Sequence, residues 1–84
     1  MPYSIRIKKS AYKELQKVPK SLQPRIAAAI DGLAVQPYTG KVLKGDLSGL
    51  RRLRVGDYRI IYEINNEEIL ILILRIAHRK KAYQ

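Results

Sequence analysis

The sequence contains no cysteine, so neither a disulfide framework nor a thiolate metal site is open to it. It has a single histidine, His78, too little imidazole for a structural zinc site. The apolar run at residues 69–74 falls far short of the ~20 residues needed to span a bilayer. Residues 1–10 alternate polar and apolar positions, which is not the apolar block of a secretory signal. The expectation is a cytoplasmic protein with no membrane partner. Acidic residues are also scarce, with 7 Asp and Glu against 17 Lys and Arg. Glu67 and Glu68 sit beside a turn, Asp46 lies in a loop and Glu63 has no partner at fixed spacing, so no catalytic carboxylate pair emerges. No glycine-rich phosphate loop or metal-ligand spacing occurs either. Neither a metal nor a cofactor is expected.

What the chain does have is positive charge, a formal +10 over 84 residues. Such a field draws in polyanions and speeds encounter with nucleic acid. At this length the chain holds one modest core, so residues 1–84 read as a single domain.

Hydrophobic periodicity orders that domain. Tyr3, Ile5 and Ile7 alternate with Ser4, Arg6 and Lys8, the period of a half-buried strand. Ser10 offers an N-cap to a short helix carrying Ala11, Leu15 and Val18, which Pro19 closes. Ser21 offers a second cap, with Pro24 tolerable in the first turn. Leu22, Ile26, Ala29, Ile30 and Leu33 then form one stripe that ends at Gln36-Pro37. The pattern lapses over residues 38–49, where Gly40, Gly45 and Gly49 mark a loop. In the next strand Leu53 and Val55 share one face while Arg52 and Arg54 take the other. Gly56-Asp57 is a tight hairpin turn. Residues 58–64 are rich in β-branched and aromatic side chains, with Tyr58 and Tyr62 assigned to the core. Asn65-Asn66 is the next turn, because Asn tolerates a left-handed backbone. Residues 69–77 read as a central strand covered on both faces. The fold class is therefore α+β, in the order β-α-α-β-β-β, with an antiparallel sheet and two helices packed on one face.

The cations concentrate in the sheet half. Arg51, Arg52 and Arg54 lie on the first hairpin strand, Arg59 begins its neighbour, and Arg75, Arg79, Lys80 and Lys81 cluster near the chain end. If residues 69–77 pair beside 58–64, Arg79 joins Arg52, Arg54 and Arg59. Arginine binds phosphate oxygens through a planar fork and keeps its charge through any proton transfer. Several arginines around one phosphate could stabilise a pentacovalent transition state. The alternative use of such residues is to keep solvated strands from aggregating. His78 is either a surface residue or a general acid or base. Tyr83 is either a terminal residue or an aromatic that stacks on a base. With no recognisable metal site, phosphodiester cleavage points to RNA, whose own 2′-hydroxyl can attack.

Residues 50–62, LRRLRVGDYRIIY, and 76–83, IAHRKKAY, together with the element order, resemble RelE-type toxins of the RelE/ParE superfamily. The first segment is characteristic of the superfamily; the second, with a tyrosine four residues after Arg79, points to its ribonuclease branch. The resemblance implies a RelE-like, microbial-ribonuclease-like fold. It also implies a toxin of a type II toxin–antitoxin pair that cuts mRNA in the ribosomal A site without a metal. The 2′-hydroxyl is then the nucleophile and a cyclic phosphate the product. By position, Arg59 and Arg79 match phosphate-stabilising arginines and Tyr83 an active-site tyrosine, while Arg52 falls where a catalytic lysine occurs. A second family lysine falls at Leu50, which leaves the general base open among Tyr83, His78 and Arg54. Lys44, Arg51, Arg54, Lys80 and Lys81 would contact RNA. The implied partners are the ribosome, mRNA and a cognate antitoxin acidic enough to complement the charge. A ParE-like inhibitor of DNA gyrase, acting by binding, is the alternative.

Overall fold

Alternating apolar residues in the C-terminal half build a sheet with one face committed to the core. In the computed structural model, which describes residues 2–80, strand β1 (Ser4–Ile7) is followed by helices α1 (Lys9–Lys17) and α2 (Gln23–Leu33). A two-residue strand β2 (Lys41–Val42) and three longer strands, β3 (Arg51–Val55), β4 (Tyr58–Asn65) and β5 (Leu70–His78), complete the sheet. The strand order is β1-β5-β4-β3-β2. β2–β3, β3–β4 and β4–β5 pair antiparallel, while β1 pairs parallel with β5. Ile26, Ile30 and Leu33 of α2 and Ala11 of α1 pack with Ile60, Tyr62, Ile71, Ile73 and Ile76 in one buried cluster.

The α+β class and the two helices on one face agree with the expectation, and four details differ. The loop at residues 38–49 is not featureless: two 3₁₀ turns, Pro37–Thr39 and Gly45–Leu47, flank β2. The sheet therefore has five strands, and its parallel β1–β5 pair makes it mostly antiparallel. Neither serine caps a helix: Lys8 and Leu22 occupy the N-cap positions without side-chain bonds. Pro24 does lie in the first turn of α2, as expected. At the β4–β5 turn the left-handed residue is not an asparagine but Ile69, at φ 52°, so β5 begins one residue later. Asn65 serves instead through its side chain, whose Oδ1 accepts the Glu68 N–H at 3.0 Å.

β4 is the middle strand, and Tyr62 on it joins the sheet to the β2 region. Its hydroxyl donates to the Pro37 carbonyl at 2.7 Å and accepts the Gly40 N–H at 2.9 Å. Burial pushes the phenol pKa up, opposed by the Gly40 N–H and the Arg51 charge. Arg51 completes the clamp, donating to the Gly40 carbonyl at 2.7 Å with its guanidinium 4.9 Å from the Tyr38 ring centre. A Cβ on Gly40 would lie 2.6 Å from the Tyr62 hydroxyl and 2.7 Å from the Arg52 carbonyl oxygen. Backbone oxygen cannot swing aside as a flexible side chain can. Gly40→Ala is expected to destabilise the fold by about 1–3 kcal/mol, read as a lower urea midpoint. An unchanged midpoint would show that the clamp does not fix this segment.

Candidate functional site

The face of the sheet turned away from the helices carries the cations. Register places Arg54 directly opposite Arg59, and Arg59 opposite Ala77 on the other side. Arg52 stands two residues before Arg54 on the same face, between Lys41 of β2 and Ile61 of β4. Directly opposed residues have Cβ atoms roughly 4.5–5.5 Å apart, and like charges so placed repel. Among the described residues, neither Arg54 nor Arg59 has a carboxylate partner. Ile61 lies on this same face yet is buried, at 2% exposure. Long cationic stems flanking an apolar residue can cover it while their heads stay in solvent.

The C-terminal strand reaches this face through an irregularity. Tyr62 pairs with Ile73 and Ile61 with Arg75, which leaves Leu74 as an extra residue on β5. Such a bulge reverses which alternate residues point to which face. Before it, Ile71 and Ile73 face the helices; after it, Ile76 and His78 do. Ala77 and, continuing the register, Arg79 are thereby turned to the open face. The Arg79 N–H donates to the Asp57 carbonyl at 2.7 Å, which sets Arg79 beside the hairpin turn next to Arg59. Glu14 of α1 holds the bulge, with Oε1 accepting the Ile76 N–H at 2.9 Å and Oε2 accepting Arg75 Nε at 3.0 Å.

The structure thus brings together Arg52, Arg54, Arg59 and the Arg79 backbone, and it separates others. His78 stands opposite Tyr58 on the helix side, its ring edge-on to the Tyr58 ring at 5.6 Å. There it lines a groove of about 240 Å³ with Glu14, Lys17 and Val18, not the arginine face. Arg51 is spent on the Tyr38–Gly40 segment. Lys44 is exposed in the loop beyond β2, and Lys80 is exposed after β5. Lys81 and Tyr83 lie outside the described residues. One residue of the face went unnoticed in the sequence: Lys41, whose membership depends on β2 pairing. Among the described residues, no helix is long and apolar enough to cross a membrane.

Two helices packed under a five-stranded, mostly antiparallel sheet with a cationic open face make a small α+β domain, and comparison with known proteins gives its family. Residues 5–83 match the family profile described as ParE toxin of the type II toxin–antitoxin system. Toxin RelG of Mycobacterium tuberculosis is 37% identical, with 100% of this chain and 99% of that protein covered. A toxin–antitoxin complex, RelBE2 of Mycobacterium tuberculosis, superposes at a TM-score of 0.87 and 32% identity, covering 94% of this chain and 100% of that one. An archaeal RelE–RelB complex from Pyrococcus horikoshii gives a TM-score of 0.78 at 35% identity, covering 98% and 100%. The chain belongs to the ParE toxin family of type II toxin–antitoxin systems, as a RelE-type toxin of the RelE/ParE superfamily.

The opposed Arg54 and Arg59 carry a testable penalty. Arg54→Thr is expected to raise stability by a few tenths to about 1 kcal/mol at low salt. The gain should shrink at high salt, where the repulsion is screened. Thermal melts at two salt concentrations check this, and a destabilised Arg54→Thr would contradict the repulsion.

Proposed function

We infer that this toxin is a ribosome-dependent endoribonuclease that cuts mRNA in the A site. The observation that carries the reading is the convergence of Arg52, Arg54, Arg59 and the Arg79 backbone on one open face, where Arg54 and Arg59 stand opposed with no carboxylate partner among the described residues. In the reaction the 2′-hydroxyl loses its proton and its oxygen bonds to the adjacent phosphorus. The bond from phosphorus to the 5′-oxygen breaks, and that oxygen leaves as a 5′-hydroxyl after taking up a proton. The product ends in a 2′,3′-cyclic phosphate. Arginines held by strand register are pre-positioned for the charge that grows on the phosphoryl oxygens, which is where electrostatic catalysis acts. Arg59, paired with Ala77, and Arg79, bonded to Asp57, are neighbours across β4 and β5 and in this reading take the phosphate; Arg52 replaces the lysine that the family resemblance implies.

The proton acceptor is narrower than the sequence left it. Arginine stays protonated at any working pH, which disfavours Arg54, and His78 faces the helices. Tyr83 is the remaining candidate. The partner in this reading is an acidic RelB-type antitoxin, supported by the solved RelB–RelE complexes among the structural relatives and by the +10 charge of the chain. The ribosome supplies the messenger and completes the site.

The decisive assay adds the protein to a translating extract and maps new messenger ends. Cuts are expected with the wild type, with losses of about 10²–10³-fold in Arg59→Ala and Arg79→Ala. Intact messages would contradict the reading. Intact messages together with arrested DNA supercoiling would instead identify a gyrase inhibitor, the reading suggested by the ParE profile.

A further inference from the structure

Beyond the arginines, the open face continues onto the edge strand. Lys41 of β2 is the ladder partner of Arg52, so both leave the sheet on the same side. Thr39, Lys41, Arg52, Leu53 and Arg54 line a cleft of about 210 Å³ at this edge. Its outer wall is firmly held. Gly40 is bonded through its N–H to Tyr62 and through its carbonyl to Arg51, and the Thr39 hydroxyl donates to the Gln36 carbonyl at 2.8 Å. Lys41 itself is exposed and has no carboxylate partner among the described residues. A lysine on an edge strand also deters strand pairing. Deterrence, however, requires neither a cleft nor a position opposite an arginine, where like charges repel. Two opposed cation pairs on one face, Lys41 with Arg52 and Arg54 with Arg59, suit a ligand bearing more than one negative charge.

We propose that this cleft is a second phosphate seat, in which Lys41 and Arg54 hold a backbone phosphate of the same RNA strand whose scissile phosphate lies over Arg59. The proposal rests on the reading of the open face as an RNA site. From Arg59 to Lys41 the sheet spans two strand spacings, roughly 10 Å, and two residues along the strands, about 7 Å. Long side chains reaching inward from both ends shorten that distance to the range of neighbouring phosphates. The strand therefore crosses the sheet from β4 towards β2. A lysine ammonium is a flexible point charge, able to hold a phosphate that does not react. It binds substrate and transition state alike, and so acts on affinity and not on the chemical step.

The test uses fluorescein-labelled hexauridylate with 2′-O-methyl riboses, which binds but offers no nucleophile. Anisotropy titrations between about 50 and 200 mM salt compare the wild type with Lys41→Ala, Lys41→Gln and Lys13→Ala, an exposed control on α1. Both Lys41 variants are expected to bind several-fold more weakly and to lower the slope of log affinity against log salt by about 0.7, one phosphate contact on a single strand. Lys13→Ala should match the wild type. Equal behaviour of the Lys41 and Lys13 variants overturns the seat, whatever the translating extract shows. A selective Lys41 effect alongside uncut messages retains the seat and removes the nuclease reading.

Discussion

The two-residue turn at Gly56-Asp57 fixes how β3 meets β4, and a slip of one residue there would exchange the core and solvent faces of both strands. Gly56, at φ 60°, supplies the left-handed backbone that so tight a connection needs. With the register set, Leu53, Val55, Ile60 and Tyr62 go to the helices, and Arg52, Arg54 and Arg59 go to the open face. Core formation and site formation are two consequences of one pairing. The burial that stabilises the hairpin also holds the arginines against their mutual repulsion.

A second device acts at the other side of β4. The extra residue Leu74 reverses the parity of β5 halfway along. Without it, Arg79 would follow Ile71 and Ile73 to the helix face, and His78 would point towards the arginines. Glu14 ties this irregularity to α1 by accepting from the Ile76 N–H and the Arg75 side chain. The Ile76 bond also satisfies a backbone donor that no strand covers, since β1 pairs only as far as Ile73. A carboxylate remote from the arginine face thereby helps to set which C-terminal side chains can reach it.

Much of this was legible in the sequence because it follows from local rules. Alternation in residues 51–64, the glycine-bearing turn and the apolar stripe of α2 each report their own environment. The arginine face followed from parity alone. What stayed hidden depends on contacts between distant segments. β2 has two residues and exists only because Lys41 and Val42 meet Arg52 and Arg51. The bulge at Leu74 sits inside an apolar run, where period-2 alternation leaves no trace. Arg51 looked equivalent to its neighbours until Tyr38 and Gly40 came beside it. Ile69 takes a left-handed conformation that a β-branched residue disfavours, so no residue preference pointed to it.

In the proposed reaction the open-face arginines serve a messenger that attacks itself. The most direct measurement places one 2′-deoxynucleotide on the 5′ side of a mapped scissile phosphate, in an otherwise ribose message, and repeats the reaction in a translating extract. Cleavage at that position should vanish while other positions are still cut, and the ribose control should end in a 2′,3′-cyclic phosphate. Undiminished cleavage at the deoxy position would contradict attack by the 2′-hydroxyl and require a nucleophile from the protein or from water.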